Sequence, residues 1–141
     1  MKKFIIIMLA MVAITATAQD RNKWAKDMLE TKHKMLIEQV GLDKAQQEEF
    51  MPLYEAMEKE IYQTNREART LAATVSKKAN ATDAEYLQAA EAMSKAKVRE
   101  GEIEATYFVK FTKILSKKQL FLLKQAEANF TRTLLQKRNN K

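Results

Sequence analysis

Five glutamates stand close enough together to suggest acid–base or metal chemistry: Glu48 beside Glu49, and Glu100, Glu102 and Glu104 at alternate positions. Helical two-metal sites use such carboxylates, but they draw on histidine as well. This chain has a single histidine, His33, held between Lys32 and Lys34, a setting that reads as solvent-exposed. At helical spacing these acids more readily form ion pairs with nearby lysines. Two isolated glycines cannot build a phosphate-cradling loop, and no Ser/His/Asp group has a recognisable context. The absence of cysteine removes thiolate metal sites, disulfides and a lipid anchor on Cys. The residues therefore argue against an enzyme, and for no metal and no cofactor.

The polar side chains that do recur in a pattern are ones that start helices. Leu42-Asp43-x-x-Gln46 and Leu115-Ser116-x-x-Gln119 share one phrase: a leucine, a short polar residue, and a glutamine three positions after it. In each, Asp43 or Ser116 caps the helix while Gln46 or Gln119 reaches back to the cap's own amide. Leu115 can also staple onto Leu120; in the first copy Gln47 occupies that place, so the apolar staple is missing. Thr82 with Glu85 makes a third such box.

Elements follow from these caps. Glycine and proline are confined to Gly41, Gly101 and Pro52, while helix-forming residues dominate, so the chain is predicted to be all-α. A first helix is expected from about Lys23 to Val40, stopped by Gly41. A second runs from the Asp43 cap to about Lys78 and contains Pro52, where a kink and a missing backbone hydrogen bond are expected. A third runs from Thr82 to about Leu115, and a fourth from Ser116 to about Arg138.

Phe50, Tyr54, Met57, Ile61, Thr64, Ala68, Leu71 and Val75 alternate by four and three, and form the seam of the second helix. Leu87, Glu91, Ser94, Val98, Gly101, Ala105, Phe108, Thr112 and Leu115 offer the same spacing in the third. The two helices should pack as a long antiparallel hairpin, flanked by the first and fourth. A turn centred near Ala81 would set Ile61 opposite Gly101, Met57 opposite Ala105 and Leu115 opposite Gln47. Gly101 would then allow close approach, and Gly101→Leu would overpack the crossing. Spare apolar residues in the outer helices suggest a homodimer.

Lys2 and Lys3 precede an apolar run, Phe4 to Ile14, and Ala16-Thr17-Ala18 supplies the small residues of a cleavage site. Residues 1–18 therefore read as a signal peptide cleaved after Ala18, leaving residues 19–141 as one helical domain without a stable membrane anchor. The formal charge is +7, and removal of Lys2 and Lys3 with the leader takes it to +5. An exported basic protein meets acidic or unfolded polypeptides, anionic lipid or other envelope proteins rather than nucleic acid.

A doubled L-[T/S/D]-x-x-Q phrase in an exported helical chain of this length resembles the Spy/CpxP family of periplasmic proteins, whose signature is a doubled LTxxQ. Leu115, Ser116 and Gln119 match one copy, with serine for threonine. Leu42, Asp43 and Gln46 match the other, with aspartate at the cap. The resemblance implies a helical hairpin that dimerises into a curved cradle with a basic, partly apolar concave face. It also implies an ATP-independent chaperone for unfolded or aggregation-prone envelope proteins. The alternative branch is a repressor docking on an envelope stress sensor kinase; heavy-metal sensing has the least support here. The candidate client surface combines Met28, Lys32, Met35 and Leu36 with Arg66, Arg69, Lys95 and Arg99, pairing adaptable apolar contacts with long cationic side chains.

Overall fold

The computed structural model describes the backbone of residues 2–139 and the side chains of residues 19–139. The chain is all-α, with helices α1 (Lys2–Val40), α2 (Lys44–Lys77), α3 (Asp83–Phe111) and α4 (Lys117–Asn139). The first helix begins far upstream of Lys23, because no glycine or proline interrupts the preceding residues. The side chains of the apolar run and the cleavage point after Ala18 lie outside the described residues. Among the described residues, no helix is long and apolar enough to cross a membrane.

Contacts gather into two compact units, residues 42–121 and residues 1–41 with 122–141. In the first, α2 and α3 lie side by side in opposite directions. Asp43 and Thr82 cap them, and both boxes are complete: each cap side chain accepts the N3 amide while Gln46 or Glu85 accepts the cap's amide. Lys78 pairs with Glu85 across the intervening turn. That hydrogen bond, helped by the Thr82 amide, holds the Glu85 carboxyl below the usual glutamate range. Pro52 lies within α2 with its ring exposed, and its missing N–H leaves one gap in the helical ladder.

α3 stops at Phe111 rather than near Leu115, and Thr112 supplies the reason. Its hydroxyl donates to the Val109 carbonyl at 2.6 Å, the acceptor that the Lys113 amide would use in a continuing helix. The Lys113 amide turns instead to Lys110, and that of Ile114 to Phe111. Three-residue bonds of this kind tighten and end the helix.

The α2 seam follows the expected spacing: Phe50, Tyr54, Met57, Ala68 and Val75 are buried, with Ile61, Thr64 and Leu71 half-buried. The α3 seam does not. Its buried residues are Ala89, Ala96, Ile103, Tyr107 and Phe111, whereas Leu87, Ser94, Val98, Gly101, Ala105 and Thr112 are exposed. α3 is rotated accordingly: Asn65 bonds Glu100 and the Phe50 and Phe111 rings meet, whereas Gly101 turns away from α2. Small residues do meet at mid-seam, but they are Ala68 and Ala96. At the other end four rings cluster, with Phe50 and Phe111 centroids 4.8 Å apart and Tyr54 and Tyr107 beside them.

Gly101 faces solvent, and a Cβ built there meets no atom within 4 Å. The overpacking expected of Gly101→Leu therefore has no physical basis within the hairpin. Gly101→Ala should instead stabilise the fold by about 1 kcal/mol, since glycine in an exposed helix interior loses that much relative to alanine. A urea titration of the two proteins measures it.

The second unit joins α1 and the greater part of α4. Gly41 has φ +71° and its amide bonds the Ile37 carbonyl, ending α1 as a left-handed residue. Leu36, Val40, Leu123 and Ala126 are buried. Asn129 bonds Gln39, and the Lys32 ammonium lies 5.9 Å from the centre of the Phe130 ring.

Candidate functional site

The two leucine–glutamine phrases come together. Asp43 accepts the Gln46 amide at 2.8 Å, and Gln46 Oε1 accepts the Asp43 amide at 3.2 Å. Ser116 and Gln119 repeat the arrangement at the start of α4, at 3.1 and 3.0 Å. With each Oε1 turned toward its own cap, each amide nitrogen faces the other box. Gln46 Nε2 donates to Gln119 Oε1 at 2.8 Å, and Gln119 Nε2 donates to Gln46 Oε1 at 2.9 Å. Gln46 Nε2 also reaches the Ile114 carbonyl at 3.2 Å. The result is two helix caps clasped by a reciprocal amide pair.

The motif leucines, Leu42 and Leu115, are buried beside this clasp in sequence, at 6% and 5% exposure. Gln47, which lacks an apolar staple partner, donates to the Leu42 carbonyl at 2.9 Å. That bond ties the segment before the cap to the first turn of α2. What these groups do in the structure is hold two helix starts together.

The eight expected client-contact residues divide between the units. Met28 lies in a shallow groove of about 630 Å³ between α1 and α4, shared with Trp24, Leu134 and Leu135 and edged by Lys137 and Arg138. Lys32 is half-buried over Phe130 and Met35 is half-buried. Leu36 is fully buried at 0% exposure, so it belongs to the core and is withdrawn from the client surface. Trp24, at 65% exposure, is the largest apolar side chain on this groove, and the candidate surface read from the sequence does not include it.

In the other unit the four cations do not share a face. Arg69 stands 5.7 Å from the Tyr62 ring and lines one side of the α2–α3 seam with Asn65, Met93 and Lys97. Lys95 and Arg99 line the opposite side, with Thr64, Glu67 and Leu71. Arg66 borders a depression formed by α2 residues alone. The cause is the register of α3: its rotation from the expected seam carries Lys95 and Arg99 away from Arg69.

Of the five glutamates, Glu100 forms an ion pair along α3 with Lys97 at 3.2 Å, and Glu102 one with Arg99 at 3.1 Å. The Asn65 hydrogen bond, with Lys97 beside it, holds the Glu100 carboxyl below its ordinary range against the opposing effect of burial. Glu30 precedes His33 by three residues on α1, a spacing used by helical metal sites. Among the described residues, however, no three His, Cys, Asp or Glu side chains gather around a common point. His33 itself is half-buried rather than exposed. No family model, curated protein or solved structure matches the chain.

Proposed function

We propose that this chain is a Spy/CpxP-like periplasmic holdase, an ATP-independent chaperone that works as a homodimer on unfolded envelope proteins after removal of residues 1–18. The observation that carries this reading is the shallow groove of α1 and α4, where Trp24, Met28, Leu134 and Leu135 are edged by Lys137 and Arg138. Such a groove is too open to define one small ligand. Its apolar floor suits short hydrophobic segments of many sequences, and its cationic edge suits acidic flanks. Flexible methionine helps one surface adapt to many partners.

The amide clasp fixes the starts of α2 and α4 within the hairpin's unit. Docking on a stress-sensor domain is the alternative, and it predicts one saturable partner rather than many. Light scattering of a chemically denatured, aggregating client tests the holdase. The chain should suppress aggregation at near-stoichiometric amounts, and Trp24→Asp with Leu135→Asp should abolish suppression while helicity by circular dichroism is retained. No suppression by the unaltered chain would sink the proposal.

A further inference from the structure

We infer that the α1–α4 unit docks on an anionic lipid bilayer, with Trp24 and Leu135 in the headgroup layer and the cations beside them at the lipid phosphates. This goes beyond the holdase reading. It gives the same groove a second partner of different chemistry, and its test contains no client. The charge of the chain is divided unequally. Residues 42–121 carry thirteen basic and thirteen acidic side chains, so that unit has no net charge. Residues 19–41 with 122–141 carry ten basic against five acidic, and so hold the whole +5 of residues 19–141.

The excess gathers around the groove. Glu127 is the last acidic residue of the sequence, and Arg132, Lys137, Arg138 and Lys141 follow it. Arg132 and Arg138 stand three residues before and after Leu135, so they flank it on one face of α4. On α1, Arg21, Lys23 and Lys26 outnumber Asp20 and Asp27 within four residues of Trp24. Lys137 and Arg138 edge the groove itself, and among the described residues no acidic side chain lines it.

Apolar exposure coincides with this charge, and together they identify a bilayer. Trp24 is 65% exposed and Leu135 48%. Exposed apolar residues of the hairpin, such as Tyr62 and Val98, lie instead in the unit without net charge. Tryptophan suits the headgroup boundary, because its ring is apolar and its N–H is polar. Arginine and lysine lay their stems along apolar surface and keep their charged ends at the phosphates. No described helix is long and apolar enough to cross a membrane, so the contact lies at the surface. An acidic polypeptide would satisfy the cations yet leave the indole and Leu135 in water.

The test uses residues 19–141, so that the apolar leader adds nothing of its own, and vesicles of phosphatidylglycerol and phosphatidylcholine in equal parts. Trp24 is the only tryptophan and reports from the groove itself. The chain should co-sediment with these vesicles, and its tryptophan emission should shift to the blue. Vesicles of phosphatidylcholine alone should bind it about tenfold more weakly or worse, and added salt should release it from the anionic ones. Arg132→Glu/Arg138→Glu should weaken binding about tenfold or more, while Arg132→Lys/Arg138→Lys should keep it, both with helicity unchanged. Lys95→Glu/Lys97→Glu makes the same charge change in the other unit and should leave binding within about twofold. No binding, binding with unchanged emission, equal binding to phosphatidylcholine, or equal loss in the two charge-reversed variants overturns the inference. So does a blue shift with polyglutamate that anionic vesicles fail to produce, which would make the partner an acidic polypeptide. Aggregation suppression is read without lipid, so either reading can fail alone.

Discussion

Gln119→Ala should lower the free energy of unfolding by about 2–3 kcal/mol, well beyond the roughly 1 kcal/mol of an ordinary helix cap. The substitution removes the acceptor for the Ser116 amide and for Gln46 Nε2, and the donor to Gln46 Oε1. Each hydrogen bond contributes about 1 kcal/mol net, and part-buried groups left without partners add to the cost. Gln46→Ala should be comparable, since it also strips a bond from the Ile114 carbonyl. The informative measurement is the double variant. Each single change already disables the clasp, so the combined loss should fall short of the sum by about 1–2 kcal/mol. Simple additivity would mean that the two boxes act separately. A fully stable Gln119→Ala chain that no longer holds clients would give the phrase a direct role in binding.

Phe111→Ala should be the most damaging single truncation in the hairpin, at about 3–5 kcal/mol. Phe111 is 2% exposed, and its ring centre lies 4.8, 6.1 and 6.3 Å from those of Phe50, Tyr54 and Tyr107. Its removal leaves a cavity lined by aromatic faces that cannot collapse without moving both helices. Phe111→Leu keeps much of the volume and should cost under about 1.5 kcal/mol. Leu87→Ala and Val98→Ala, on the exposed side of the same helix, should stay within about 0.5 kcal/mol in the monomer. Denaturant midpoints of these four chains separate the observed seam from the alternative spaced two residues away.

That contrast also shows where the sequence is easy and where it is hard to read. Caps are local: Asp43, Thr82 and Ser116 each sit three residues before a side chain that completes the box, so they are visible without tertiary information. The α2 seam is equally plain, because Phe50, Tyr54 and Met57 are large. α3 carries two repeats of similar spacing, and its buried one passes through Ala89 and Ala96, which weigh little in any hydrophobic pattern. The other repeat, with exposed Leu87 and Val98 and half-buried Phe108, is the louder of the two. The choice between them is made by α2, not by α3.

The candidate surface meets a related limit. It joins Lys95 and Arg99 to Arg69 as long cationic side chains, and the observed rotation of α3 separates them. It also joins Leu36 to Met28 and Met35 as adaptable apolar contacts, but Leu36 is buried, and burial depends on neighbours that residue type alone does not supply. The glutamine clasp was half legible. Two phrases with glutamine at the same offset signal two caps, but an amide pair between them is a long-range fact that neither phrase contains.

The clasp joins residues 73 positions apart, and this has a kinetic meaning. A hydrogen bond across so long a loop forms only after the intervening chain has doubled back, because the entropy of closing the loop must first be offset by other contacts. α2, α3 and their turn can assemble from neighbouring residues, with the Asp43 and Thr82 boxes acting locally. The Ser116 box at the start of α4 is just as local, but its amide pair with Gln46 forms only once the intervening chain has doubled back. The paired phrases thus give the start of the last helix an added stabilisation that arrives only after the hairpin has formed.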